Sequence, residues 1–268
     1  TTDIFSDNSG VALYQLDGNA NDTGGVSGKF GSAAIFNGNG RIDTNTVFTS
    51  MVGSSTSYSI SAWIYPTSNT TARPFGTENS TDGFLIQTSN GNIKAGGGNG
   101  SYNFTSDYTC AINQWHHICL VITTNSSIKL YVDNVLKETL STTISFSGSA
   151  RLFLGADYNT ASGENPFTGK IDDVRIYSDV LTSTEVGYLY NNTTASIPTD
   201  NLLAYYKLDG DARDEQQLYD GTATNVTYAY DGTATNVTYQ EATKFQPDLV
   251  WIKNRSSVYS HCLVDSVR

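Results

Sequence analysis

Methionine is almost absent, cysteine is scarce, and no apolar run is long; each shortage excludes something. Met51 is the single methionine, and runs of Leu, Ala, Glu and Lys at helical spacing are missing, which excludes a helical bundle. The three cysteines, Cys110, Cys119 and Cys262, make no even set and show no Cys-x-x-Cys spacing. A disulfide framework is therefore not expected, and the thiols read as buried small hydrophobes. No apolar stretch approaches the about 18 residues of a membrane-spanning helix, and no leader pattern is visible, so membrane insertion is not expected. Positive charge is short as well: 15 Lys and Arg face 26 Asp and Glu, for a net charge of −11. Such a field repels phosphate backbones, which argues against a nucleic-acid partner, and it attracts divalent cations.

What is present belongs to an all-β chain. Tyr (17 copies) and Phe (11) suit a pleated surface, and abundant Gly, Ser, Thr and Asn supply turns. "SYSISAWIYPT" (57–67) is apolar on both faces and ends at Pro66, as a central strand covered on both sides would. "QWHHICLVITTNSSIKLYVDNVLKETL" holds a hairpin pair, Trp115–Thr123 with Ser127–Val132, and Asp133–Asn134 then turns into Val135–Leu140. "SDVLTSTEVGYLYNN" is helical, with Thr182 or Ser183 as cap, Glu185 in the first turn, and Val186, Leu189 and Tyr190 toward the core. In "GKIDDVRIY" a strict period of two points Ile171, Asp173, Arg175 and Tyr177 one way. Asp172 would then share a face with Val174 and Ile176, which requires a sheet rim, a partner or a cation. Ten or more short strands with turns every 8–12 residues predict a β-sandwich or jelly roll over 1–193.

A linker with Pro198 follows at 194–200. The opening "ALYQLDGNAND" (12–22) then returns as "AYYKLDGDARD" (204–214), and "YDGTATNVTY" occurs at 219–228 and again at 230–239. Residues 201–245 are too few and too polar for a second sandwich, so this short β segment is expected to pack against neighbours, in an oligomer such as a trimer. A new pattern begins at 246–268. The chain opens on Thr1 and stops at Arg268 within that pattern, as a piece of something larger would.

"LDGNAND", "GKFGSAAIFNGNGRI", "YSISAWIYPT", "WHHICLVI", "IKLYVDNVLKE" and "FTGKIDDVRIYSDVLTSTEVGYLY", in that order, resemble the laminin-G-like, concanavalin A-like family in its bacterial and phage form. The resemblance implies an antiparallel two-sheet jelly-roll sandwich serving adhesion, carbohydrate binding or protein contact. It also implies Ca²⁺ between the opening loop, at Asn21 and Asp22, and Asp172, where it would tie the first strand to the last. Simple acceptance of main-chain N–H groups at a sheet rim is the competing expectation for Asp172. "FQPDLVWIKNRSSVYSHCLVDSVR" (245–268) resembles the start of a domain of marine tailed-phage structural proteins. That similarity implies a virion component on the particle surface, such as a tail fibre, appendage or capsid decoration. Other virion proteins and a host cell-surface glycan would be its partners, and a secreted bacterial carbohydrate-binding or adhesion module is the alternative.

Chemistry is hard to find. His116 and His117 point to opposite faces of a strand and cannot chelate one ion together, and His261 lies far off in sequence. "AGGGNG" (95–100) lacks the Lys-Ser/Thr of a phosphate loop. A glycoside hydrolase of the same fold needs paired acids, yet the six Glu are scattered singly and no strand reads Glu-x-Asp-x-x-Glu, so no enzyme is expected. Sugar contacts would come from rim aromatics with polar neighbours: Tyr102 and Tyr108 (with Phe104) in "SYNFTSDYTC", and Tyr158 and Asn159 in "GADYNTASGEN". Ordinary rim packing is an equal expectation for each.

Overall fold

The computed structural model describes residues 14–15, 21–22, 28–48, 50, 57–77, 84–97, 104–141, 151–156 and 165–228. Its strands in chain order are β1 (Tyr14–Gln15), β2 (Asn21–Asp22), β3 (Ala34–Asn37), β4 (Arg41–Val47), β5 (Tyr58–Pro66) and β6 (Ala72–Thr77). They continue as β7 (Phe84–Ser89), β8 (Asn92–Gly97), β9 (Phe104–Thr109), β10 (His116–Thr123), β11 (Ser127–Val132) and β12 (Val135–Ser141). The last are β13 (Arg151–Leu154), β14 (Thr168–Tyr177), β15 (Leu202–Tyr206), β16 (Thr222–Thr224) and β17 (Thr227–Tyr228), with helix α1 (Ser183–Asn191) between β14 and β15.

Two antiparallel sheets form the sandwich. One runs β12-β11-β10-β5-β14-β3-β17, with β15 also on β14; the other runs β16-β4-β13-β6-β7-β8-β9. As its apolar character on both faces required, β5 is central, flanked by β10 and β14. Asp133 and Asn134, both at positive φ, make the tight turn between β11 and β12. Between the sheets lies a closed core in which Phe48, Tyr58, Phe75 and Phe84 meet ring to ring among Ile60, Ile64, Ile86 and Leu154. Gly155 sits at φ +86, and a Cβ there would fall 2.2 Å from the Phe36 ring, so only glycine fits.

α1 covers the outer face of the first sheet, where Val186, Leu189 and Leu181 pack on Cys119, Val121, Tyr131 and Tyr177. Thr182 is its N-cap and Glu185 completes the capping box, Thr182 N donating to Oε2 at 2.7 Å. Cys110 and Cys119 are buried free thiols, as expected of them.

Two features differ from the strand pattern alone. First, β14 does not alternate strictly. Asp173 adopts φ +52 and the pairing with β5 shifts between Asp172 and Arg175, which is a β-bulge. The extra residue reverses the parity, so Ile171 joins Val174 and Ile176 in the core while Asp172 pairs with Trp63 on the outer face. Asp172 thus does not share a face with Val174 and Ile176. Second, residues 202–228 are built into the same two sheets: β15 lies on β14, β16 on β4 and β17 on β3. The first copy of the motif instead forms its own two-stranded ribbon, Tyr14 opposite Asp22.

Candidate functional site

The bulge builds the site. It turns Asp172 outward at the position where β14 leaves β3 and takes up β15. Across the sheet the same row continues through Trp63 on β5 to His117 on β10. The loop before β3 and the end of α1 close over this row. Lys29 N and Phe30 N donate to Asp172 Oδ2 at 2.7 and 2.8 Å. Phe30 meets Trp63 edge-on at 5.7 Å, Tyr190 stacks on Trp63 at 5.4 Å, and Lys29 Nζ lies 4.0 Å from the Trp63 ring centroid.

Under this cover the polar groups are incompletely matched. Asp172 is 1% exposed, and its Oδ1 has no hydrogen-bond partner. Burial pushes its carboxyl up to about 8, with the Phe30 and Lys29 amides opposing and the charges of Asp173 and Asp209 adding to the rise. His117 Nε2 lies 2.8 Å from Ser61 Oγ, while Nδ1 has no partner. Burial holds this imidazole down at about 3, so the ring is neutral at pH 7. The Ser61–His117 pair has the spacing of a nucleophile and base, but both side chains are buried, and the His117 ring packs against Trp63 and Tyr190.

Beside this row, Asp173 Oδ1 pairs with Arg175 Nη2 at 2.9 Å, and the Arg175 guanidinium lies 4.2 Å from the Tyr205 ring. Burial raises the Asp173 carboxyl and Arg175 opposes it. On the other side of the loop, Asp209 Oδ1 accepts Ser32 N at 2.6 Å. The loop 28–32 is therefore clamped between two carboxylates, one from β14 and one from the second copy of the motif.

Of the residues named from the sequence, Asp172 is thus a main-chain acceptor that retains one oxygen without a partner. Asn21 and Asp22 are described only through the pairing of β2, and their side chains lie outside the described residues. Among the described residues, no three metal-ligating side chains come together. Tyr102, Tyr158 and Asn159 also lie outside the described residues. Tyr108 is committed elsewhere: its hydroxyl donates to Asp133 Oδ2 at 2.6 Å, and His116 Nδ1 lies 2.9 Å from the same oxygen. Burial raises the Asp133 carboxyl, but His116, Tyr108 and the His117 amide outweigh it and hold it below the ordinary range. His116 and His117 do part to opposite faces, each with its own partners.

A half-exposed row escaped the sequence reading. Tyr65 lies opposite Lys170 on the outer face, and Trp115 meets Tyr65 edge-on at 5.4 Å. Lys170 Nζ is 5.5 Å from the Tyr65 centroid. The signal was available in the alternation of "AWIYP", which turns Tyr65 to the same side as Trp63. The cross-strand partner was not, because it depends on register.

Comparison with known proteins agrees with this architecture. The chain superposes on a proposed carbohydrate-binding protein from Bacteroides ovatus at TM-score 0.55 and 20% identity, covering 75% of this chain and 60% of that one. It superposes on a heptameric SAP-like pentraxin from Limulus polyphemus at TM-score 0.56 and 13% identity, covering 75% of this chain and 95% of that one. At these identities the likeness shows the fold. A sequence comparison with curated proteins returns no match. Residues 222–268 match a domain of unknown function. Residues 36–187, which hold the end of β3, all of β4 to β14 and the start of α1, match the model of the concanavalin A-like lectin/glucanase superfamily, and the chain belongs to that family.

Proposed function

We propose that this chain is a non-enzymatic adhesion module that binds glycans, carried on the surface of a virion as part of a tail fibre, appendage or capsid decoration. The row Trp115, Tyr65 and Lys170 is the observation that carries the glycan reading. Partly exposed aromatic side chains offer ring surface to the C–H groups of sugars, with polar neighbours at hand for their hydroxyls. The binding reading is favoured over hydrolysis by what the inner carboxylates do. Asp172, Asp209 and Asp214 accept main-chain amides, Asp173 pairs with Arg175, and Asp133 holds His116 and Tyr108. None is left as an acid and base flanking an open cleft. The virion setting rests on the resemblance of residues 245–268 to phage structural proteins.

Calcium fits the site in part. Asp172 Oδ1 lacks a partner and Asp209 lies nearby, so a cation there would favour the ionised form of a carboxyl that burial otherwise keeps protonated. Asp172 and Asp209 would hold it, with carbonyls, water, or Asn21 and Asp22 completing six to eight oxygens. Its role would be to clamp the loop 28–32.

A glycan array tests the function. The chain should retain glycans on the array, Trp115→Ala should reduce retention at least tenfold, and no reducing sugar should appear on incubation. Release of sugar, or retention indifferent to Trp115→Ala, would overturn the reading. Proteomics of purified particles should place the chain with them; recovery solely in the secreted fraction would remove the virion setting.

A further inference from the structure

The two copies of the opening motif, 12–22 and 204–214, are identical at seven of eleven positions: Ala12/Ala204, Tyr14/Tyr206, Leu16/Leu208, Asp17/Asp209, Gly18/Gly210, Ala20/Ala212 and Asp22/Asp214. In the second copy those same seven positions form the core and main-chain contacts. Ala204, Tyr206 and Leu208 are buried in the main core, and Tyr206 OH donates to Tyr219 O at 2.5 Å. Asp209 accepts Ser32 N and fills the space above Gly31, where a Cβ would lie 2.7 Å from its Oδ1. Gly210 takes φ +109, and Ala212 is buried with its carbonyl accepting Gly221 N. Asp214 accepts main-chain N–H groups from Tyr205, Gln216, Leu218 and Tyr219. The four positions that differ, 205, 207, 211 and 213, are half-buried or exposed.

The repeat therefore preserves a docking code rather than a general composition. The first copy carries the whole code, and the residues aligned with the Asp214 donors, Leu13, Gly24, Val26 and Ser27, all possess a main-chain N–H. Each sandwich has one seat for it, along Val174–Tyr177 and the loop 28–32. In the structure the second copy fills that seat, while Tyr14–Gln15 of the first pairs with Asn21–Asp22.

We propose that this seat is exchangeable, and that the opening segment 12–22 of the same chain can replace 204–214 within it. Within the eleven positions the two occupants would make the same main-chain and core contacts, so the motif's share of the balance is set by the residues that differ. Tyr205 lies against the Arg175 guanidinium, and Leu13 in its place offers no aromatic face. Lys207 bridges Glu215 at an exposed position and contributes little. Within the motif Tyr205 thus favours the second copy, and beyond it so do the pairings of β16 and β17. Because the first copy precedes the loop 28–32 directly, it closes only a short loop on docking. When it docks, β15 is released, and with it the strands β16 and β17 that cover β4 and β3.

Thermal melts of the full chain test this with Leu16→Asp, Leu208→Asp and the double variant. Exchange predicts that each single variant melts within about 5 °C of the parent, since the other copy serves, and that the double variant loses at least three times as much. A loss confined to either single variant, equal to that of the double, overturns the proposal, as does a double variant no worse than the singles. Hydrogen exchange on Tyr205→Leu gives an independent reading without a charge in the core. Protection should fall at amides 204–206 and rise at their counterparts 12–14; protection that stays wholly on 204–206 overturns exchange.

Discussion

Asp172 and Asp214 are both 1% exposed aspartates in neighbouring parts of one sandwich, yet their surroundings differ. Asp214 receives four main-chain N–H groups, two on each oxygen, all from within 204–219. Asp172 receives two on one oxygen, both from a loop more than 140 residues away, and none on the other. A carboxylate supplied by its own turn can be saturated, because local backbone folds around it. One supplied by distant segments takes what those segments bring. The first is a structural acceptor. The second is an unfinished site, with its carboxyl pushed up to about 8.

The largest effect should come from removing the saturated acceptor Asp214 together with Asp22, its counterpart in the first copy of the motif. Asp22→Ala with Asp214→Ala strands four amides at about 1–3 kcal/mol each, and urea unfolding should show a loss of several kcal/mol. A loss below about 1 kcal/mol would show that water replaces the carboxylate and that the two sites do not differ as described.

The next effect concerns the unsaturated partner and pH. The folded carboxyl of Asp172, at about 8, stands above its ordinary value of 3.8, so between those values the folded chain binds the extra proton. Its contribution to stability is fully present below about pH 4 and is lost as pH rises toward and through 8. Asp172→Asn should flatten that segment of the melting profile. An identical profile in both proteins would break the comparison. Calcium should act more weakly and in the same place: millimolar Ca²⁺ should raise the Tm of the parent at pH 8 by a few degrees, but not that of Asp172→Asn. Equal shifts in both would move the cation elsewhere. The smallest effect is expected from Lys207→Ala, whose bridge to Glu215 is 3.1 Å long but exposed on both sides, and which should stay within about 0.5 kcal/mol.

Much of this was legible in the chain. The central position of "SYSISAWIYPT", the Asp133–Asn134 turn and the Thr182–Glu185 capping box all appear as their local patterns required. The repeat was legible too, although its destination was not. The sequence offers two segments able to lie beside "DVRIY", and only packing distinguishes Tyr205 against Arg175 from Leu13. Strict alternation misplaced Asp172 because a bulge inserts one unpaired residue, and aspartate at positive φ leaves no mark in a period-two count. Tyr108 read as a rim aromatic because Asp133, which holds its hydroxyl, lies 25 positions away on another turn.

The sequence by itself determined the all-β class, the turns, the capped helix and the residues of the docking code, since each depends on neighbours within a few positions. The tertiary structure alone decided which face Asp172 takes, which copy closes the sheet and where Trp115, Tyr65 and Lys170 meet. Those outcomes depend on register and on contacts between distant segments, such as Ser32 and Asp209, 177 positions apart, and no local pattern encodes them.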